Sequence, residues 1–452
     1  AGAAVLLALV AGGVATAWQA RAAAAERDRA QNRFREVRQF SRSLLFEVHE
    51  SLRGLPGATE PRRMLLDRAV SFLDGLSADA GADDALLVEL AEGYRRLGQV
   101  QGSALSENVG DLPAATASFE KAVRLATTVL ERRGDDVYAI ELASSAHDDL
   151  AGVLADQGEM ARASEADARH RALVERLIAR HPADPSSRAG IAASLLNLGR
   201  FRSRVGNHAA ARSDYERALS LFEALPPDVR AQDDVLRDHA FALKRLGALA
   251  LASGDLATGE RRYREALTLD ERLVARHPAN ARYRYDLTFS LSDLAFAAGK
   301  RGNTGGAVAL WRRALEIRQA AVDADPKDTR AMHGVANLHA YLANAARDER
   351  RWSDAVGHWR QAAALRERLL ATLGPLPRAL LNRASVQVGL ASSLLDLAAS
   401  ATNEVARAPL RAEARGLLTT ARDTATPLVA QAPAARDVLT AIASEARRAD
   451  GR

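Results

Sequence analysis

A leucine followed by a small residue returns at a fixed interval of 48 residues: Leu150-Ala151, Leu198-Gly199, Leu246-Gly247, Leu294-Ala295 and Leu342-Ala343. Leu97-Gly98 stands 53 residues before Leu150, so the first copy carries five extra residues. Other positions keep the same phase. A glycine comes eight after the leucine at Gly158, Gly206, Gly254 and Gly302. A small residue comes thirteen after it at Ala163, Ala211, Gly259, Ala307 and Ala355, with Ala115 in the first copy. Four further on stands a large ring at Phe119, Tyr215, Tyr263, Trp311 and Trp359. Three beyond that is an alanine at Ala122, Ala218, Ala266, Ala314 and Ala362; Asp167 and His170 break these two columns in the second copy. Prolines close units at Pro182, Pro226, Pro278, Pro326 and Pro375. A self-similar period of this length describes an array of units, none of which buries its own apolar face without a neighbour.

The unit reads as a pair of helices. Alanine, leucine, arginine and glutamate dominate the chain, and all are good helix formers. Aromatic residues make up only 5% of the 452, which points away from a β-sandwich. The periodic glycine is expected to end the first helix in a left-handed cap, and the proline to end the second. Small residues let the two helices approach closely where they cross. The large ring on the second helix is expected to fill the gap against the next pair.

The string Leu198-Gly199, Gly206, Ala211, Tyr215, Ala218, Pro226 resembles the tetratricopeptide repeat. The usual unit is about 34 residues, so this one is a long-helix variant. The resemblance covers roughly residues 84–370 and implies an all-α fold, a tetratricopeptide-like α-solenoid of long helix pairs. A second resemblance is carried by RFREVRQFSRSLLFEVHESLRGLPGAT (Arg33 to Thr59), the following PRRMLLDRAVSFLDGL, and the loop QGSALSENVGD (Gln101 to Asp111). Together they look like the C-terminal half of bacterial transmembrane serine/threonine protein kinases, in which a kinase domain precedes a membrane helix and tetratricopeptide repeats follow it.

The segment order fits that resemblance. Residues 1–18 carry no charge and end at Trp18, an interfacial aromatic, with Arg21 just beyond. As a helix they span about 27 Å, close to the bilayer hydrocarbon thickness. We expect a single-pass membrane anchor. A signal peptide would need a basic stretch in front and a small-residue cleavage site behind. Residues 19–55 continue as a linker helix. In it Phe34, Val37, Ser41, Leu44 and Val48 form a heptad seam, for a coiled-coil homodimer or for packing on the first repeat. Residues 56–83 read as a helical capping segment, 84–375 as about six repeats, and 376–452 as a degenerate last repeat, capping helices and tail. The chain begins at Ala1 rather than Met, where a kinase domain would have ended. The family order places the repeats outside the cytoplasm at a bacterial plasma membrane, although the arginines after residue 18 alone argue for the opposite side.

No catalytic constellation appears. The chain has no Gly-rich nucleotide loop, no His-Arg-Asp and no Asp-Phe-Gly, so no residue here takes a phosphoryl-transfer role. With no cysteine there is no disulfide, thiolate metal site or thiol nucleophile. Ser118-Phe-Glu-Lys121 matches S-x-x-K but sits on a repeat helix without the partner motifs. The ten histidines lack metal spacing, and His181 and His277, each before a proline, read as partners of helix C-termini. We expect no cofactor and no enzyme activity from these residues. The net charge of +5 is spread as arginines among acids, a solvated helix surface rather than a nucleic-acid stripe.

Binding is the remaining chemistry. In tetratricopeptide arrays the first helix of each pair lines the concave face. Helical spacing from the repeat leucine puts these residues there: Glu92, Arg95, Gln99, Asp148, Arg200, Ser203, Arg204, Lys244, Phe289, Phe296, Lys300, Asn337, Asn344, Arg347 and Asp348. Arg200, Arg204, Lys244 and Lys300 make its middle basic and Phe296 makes it partly aromatic, which suits an acidic extended peptide or a C-terminal carboxylate. The loop Gly102 to Asp111 is a second candidate surface, or a tolerated insertion between helices. The expected function is a membrane-anchored protein-interaction module, the sensor or scaffold half of a receptor-like kinase. The alternative is a free-standing anchored scaffold for envelope or secretion assembly.

Overall fold

The computed structural model describes residues 68–77, 83–102, 111–180, 184–326, 328–375, 377–429 and 434–450. The membrane segment 1–18, the linker helix 19–55, most of the capping segment 56–83 and the loop 103–110 lie outside the described residues. Among the described residues there is no strand, and no helix is long and apolar enough to cross a membrane.

The chain divides into two compact units, residues 1–176 and 177–452. The first holds a helix over 68–77, then α1 (Asp84–Gly102), α2 (Leu112–Arg133), α3 (Val137–Gln157) and most of α4 (Met160–Ala179), within which the division falls. The second holds α5 (Pro185–Arg204), α6 (His208–Glu223), the short α7 (Pro227–Arg230), α8 (Asp233–Ala252), α9 (Leu256–Arg276), α10 (Ala281–Lys300) and α11 (Thr304–Ala324). It continues with α12 (Thr329–Asp348), α13 (Trp352–Leu373), α14 (Pro377–Ser400), α15 (Glu404–Ala425), a short 3-10 turn and α16 (Ala434–Ala449). The five extra residues of the first copy fall between α1 and α2, outside both helices.

Each of five first-to-second-helix turns is built alike. The N–H of Glu159, Asn207, Asp255, Asn303 and Arg351 bonds back to the carbonyl of Leu154, Arg202, Ala250, Ala298 and Ala346, at 2.8–2.9 Å. This six-to-one closure needs a left-handed residue just before it. Gly158, Gly206, Gly254 and Gly302 supply it with φ of 82–86°. Arg350 supplies it in the fifth turn, at φ 58°. In three turns the next residue does double duty. Asn207, Asp255 and Asn303 also accept, through their side chains, the N–H of Ala210, Thr258 and Gly306, capping the second helix. A three-residue turn therefore satisfies the ends of both helices.

The ring column crosses its own pair first. A Cβ added at Gly98 would lie 2.6 Å from the Phe119 ring, one at Gly199 2.6 Å from Tyr215, and one at Gly247 3.0 Å from Tyr263. These rings lie on the glycine of their own first helix, and Phe119 and Tyr263 also pack against the next pair, as expected. The two tryptophans follow Ala295 and Ala343, where a methyl occupies that spot, and reach onward: Trp311 tilts against Tyr341 of α12, and Trp359 lies on Gly389 of α14. Phe119 and Tyr263 reach onward as well, Phe119 to Val153 of α3 and Tyr263 to the leucines of α10. The alanines three further on, Ala122, Ala218, Ala266, Ala314 and Ala362, are fully buried.

In the second copy Asp167 and His170 stand in the ring and alanine columns, and both are buried. His170 is accommodated because its Nδ1 lies 2.8 Å from Ser144 Oγ and 2.9 Å from the Ser144 carbonyl. At the far end, α16 packs on α14 and α15, the position a further first helix would take, and buries Ile442 and Ala449.

Two predictions follow from the turn and the crossing. An arginine in the left-handed region is strained relative to glycine, so Arg350→Gly raises stability by about 0.5–1 kcal/mol in a denaturant titration; a neutral or negative change would remove the turn from this account. Gly199→Ala drives a methyl into Tyr215 and costs about 1–3 kcal/mol, outweighing its helix-propensity gain. Gly416→Ala, on α15 with open space around it, gains up to about 1 kcal/mol. Equal signs for the two alanines would show that the crossing is not tight.

Candidate peptide-binding face

Within each unit, neighbouring first helices are tied across one face by charge. In the first unit Arg95 donates to Asp149 at 2.7 Å, Gln99 bonds the same carboxylate at 3.2 Å, and the Tyr138 hydroxyl donates to Glu92. In the second unit Arg237 of α8 pairs with Asp286 of α10 at 2.6 Å, and Arg347 of α12 pairs with Asp396 of α14. Arg448 of α16 shares Asp396.

These pairs settle where the expected face residues stand. Arg95, Gln99 and Arg347 are engaged by carboxylates of the neighbouring first helix. Lys244 is not a free face cation: its side chain is only 11% exposed, and its ammonium donates at 2.9 Å to Asp270, whose same oxygen accepts from Ser290. The phase is right, but the flexible stem lets the ammonium turn down to a buried acid on α9. Asn337 accepts from Arg366 at 2.5 Å. Arg204, Asn344 and Asp348 are exposed, and Arg200 and Ser203 are half-buried. Phe296 and Lys300 are both exposed, with the ammonium 5.4 Å from the ring centre.

Within the second unit the face is therefore aromatic on α10 and α12 and basic on α5, α8 and α10. Phe289, Phe296 and Tyr341 are 41%, 52% and 41% exposed, unusual for side chains of this size on one surface. Arg200, Arg245 and Lys300 form no ion pair among the described residues; Arg245 stacks on Phe241 at 4.6 Å. Acids sit lower on the same helices. Burial pushes Asp238 and Asp293 up to about 6, against the pull of nearby Arg237 and Lys244 respectively.

Under the face runs a column that sequence reasoning missed. Twenty-four residues after the repeat leucine stand Val174, Phe222, Asp270, Arg318 and Arg366, the last four on the second helices of consecutive pairs of the second unit. Phe222 stacks on His239 of the next first helix, ring centres 5.8 Å apart. Asp270 takes Lys244 and Ser290. Arg318 and Arg366 are 7% and 6% exposed. The signal lay in the period itself: one phase carrying apolar residues in two copies and charged ones in three.

Other groupings are closed. Ser118 is buried, and its hydroxyl donates to Gln101 at 2.7 Å. Ser144, His170 and Asp167 are buried together without access for a substrate. His277 stands at the C-cap of α9, as expected, and its ring bonds Asp233; His181 lies outside the described residues. Among the described residues no three His, Asp or Glu side chains gather as metal ligands.

The tetratricopeptide repeat family model matches residues 191–225 and 290–326. No curated protein matches the chain. Among solved structures, BtubC from P. vanneervenii is 19% identical over 58% of this chain and 91% of that one, with a TM-score of 0.41. A signal-transduction ATPase with a tetratricopeptide repeat sensor, from Pyrococcus horikoshii, is 14% identical over 79% of this chain and 52% of that one, with a TM-score of 0.45. The fold is all-α, built of tetratricopeptide-like helix pairs, and such repeats are protein-interaction scaffolds.

Proposed function

We propose that the second unit binds an extended acidic segment of another protein along its first-helix face. The observation that carries this is the coincidence of exposed Phe289, Phe296 and Tyr341 with Arg200, Arg245 and Lys300, of which Arg200 and Arg245 act on the buried Asp238 and Asp293 without a direct bond and Lys300 lies against Phe296. Aromatic anchors supply contact area at low entropic cost, and the cations supply charge complementarity. An acidic fluorescent peptide, read by anisotropy, tests it. Phe296→Ala is expected to weaken binding about tenfold, on the order of 1–2 kcal/mol. Arg200→Ala and Lys300→Ala are expected to weaken it and to flatten its salt dependence. Equal binding of the acidic peptide and its Gln/Asn counterpart would sink the reading.

We further propose that the chain is the sensor or scaffold part of a receptor-like serine/threonine kinase, anchored through residues 1–18 with the repeats outside the cytoplasm. Its support is the order of apolar segment, the Arg33–Thr59 run and repeats. The native polypeptide, captured from membranes with an antibody against the repeats, is expected to contain kinase peptides preceding Ala1. A product no larger than this chain with a short basic leader would leave a free-standing anchored scaffold instead.

A further inference from the structure

Two arginines of the buried column lack the partner that a buried guanidinium normally has. Arg318 donates Nε to Thr288 Oγ1 at 2.7 Å and lies 4.5 Å from the Tyr285 ring centre and 4.8 Å from that of Phe289. Arg366 donates to His333 Nδ1 at 2.7 Å and to Asn337 at 2.5 Å, while its buried Nε has no partner. Every acceptor here is neutral. Buried charges in proteins are almost always matched by an opposite charge.

Two exposed arginines stand near them, each the second residue of its first helix and 48 residues apart. Arg330 of α12 lies 3.4 Å from the same Tyr285 ring as Arg318. Arg378 of α14 is within electrostatic reach of Arg366 and His333. His333 adds no compensation: burial, then Arg366, Arg378 and Arg318, hold it down at about 4, so it is neutral at pH 7. Tyr341 faces both Arg366 and Arg318, and Tyr285 faces Arg318.

The repeat register shows where an acid is missing. Eight residues before the repeat leucine stand Gly190, Asp238, Asp286 and Gly334, with Asn382 in the next copy. Any side chain at Gly334 would run into the Arg318 guanidinium. The copy that receives the buried arginine thus has glycine where two others have aspartate, and the Arg318 guanidinium fills the space of the missing side chain.

We propose that Arg318 and Arg366, with Arg330 and Arg378 at the rim, bind a multiply charged oxyanion, a phosphoryl group carried by the peptide that lies along this face. The peptide part rests on the reading above. One carboxylate would leave most of four positive charges uncompensated. A phosphoryl group brings close to two negative charges and three acceptor oxygens, which guanidinium forks engage in pairs. The exposed Phe289 and Tyr341 beside the quartet accept the apolar flank of such a segment.

The full chain is titrated with inorganic phosphate against chloride at matched ionic strength, following the thermal midpoint and calorimetric binding. Phosphate is expected to raise the midpoint in a saturable way. Arg330→Gln and Arg378→Gln, both exposed and safe for folding, each weaken phosphate at least fivefold. Arg366→Met abolishes the phosphate effect and raises the anion-free midpoint by removing an unmatched buried charge. Arg360→Gln, on the outer side of α13 against Glu413, changes nothing. Equal effects of phosphate and chloride, or rim variants that bind phosphate like the parent, overturn the proposal. A phosphoserine peptide is then compared with its glutamate version, with at least tenfold preference expected and lost in the rim variants. Phosphate binding by the quartet without binding of either peptide keeps the anion site and defeats the peptide reading. Peptide binding with no preference for the phosphoryl group does the reverse.

Discussion

The distance between the two helices of a pair depends on one contact, an aromatic ring lying flat against a residue with no side chain. Where Phe119, Tyr215 and Tyr263 meet Gly98, Gly199 and Gly247, the backbone of one helix is the surface on which the other rests. A close crossing buries the alanines three residues further on and leaves long helices parallel enough to expose a broad first-helix face. Where the partner is Ala295 or Ala343 the ring is an indole, which also meets the next pair. Ring size and residue size change together because the interior has no room for both to be large.

How far the fold can be read from the sequence depends on how often a position repeats. The turn glycines, the crossing residues and the closing prolines recur in four or more copies, and the structure bears out their helix-pair reading. The contact of the rings with glycine does not follow from their phase. Phe119 and Tyr263 meet the glycine of their own first helix as well as the next pair, and that close contact is a pairing across helices that a one-dimensional register does not contain. Arg350 escaped notice for a related reason. It holds a glycine's conformation without being glycine, since the six-to-one bond from Arg351 to Ala346 fixes the turn whatever stands before it.

The candidate face was legible in outline and misread in charge. Helical phase places Arg200, Lys244 and Lys300 on one side, but phase says where a side chain leaves the backbone, not where its charge ends. Lys244 bends to Asp270, 26 residues away, and its contribution to the face vanishes. Arg95 and Arg347 remain near the face, yet each is matched by an aspartate of the adjoining first helix. Those aspartates carry no period that marks them in advance. The net effect is a face less basic than its arginine count implies and more sharply localised.

The same phase under the face moves charge in opposite directions in successive copies. In the fourth pair of the chain a second-helix acid draws a first-helix lysine down into the core. In the next two pairs the acid is replaced by arginine, whose reach carries positive charge upward between the first helices. Asp270 can be satisfied from within the fold because lysine is long enough to descend to it. Arg318 and Arg366 are held by aromatic faces and neutral acceptors, which lower the cost of burial without cancelling charge. Burial drops Arg366 to about 10, which still leaves it protonated at pH 7. An array that tolerates such a charge twice, at one register position, with only neutral acceptors around it, is organised around a negative partner its own helices do not provide.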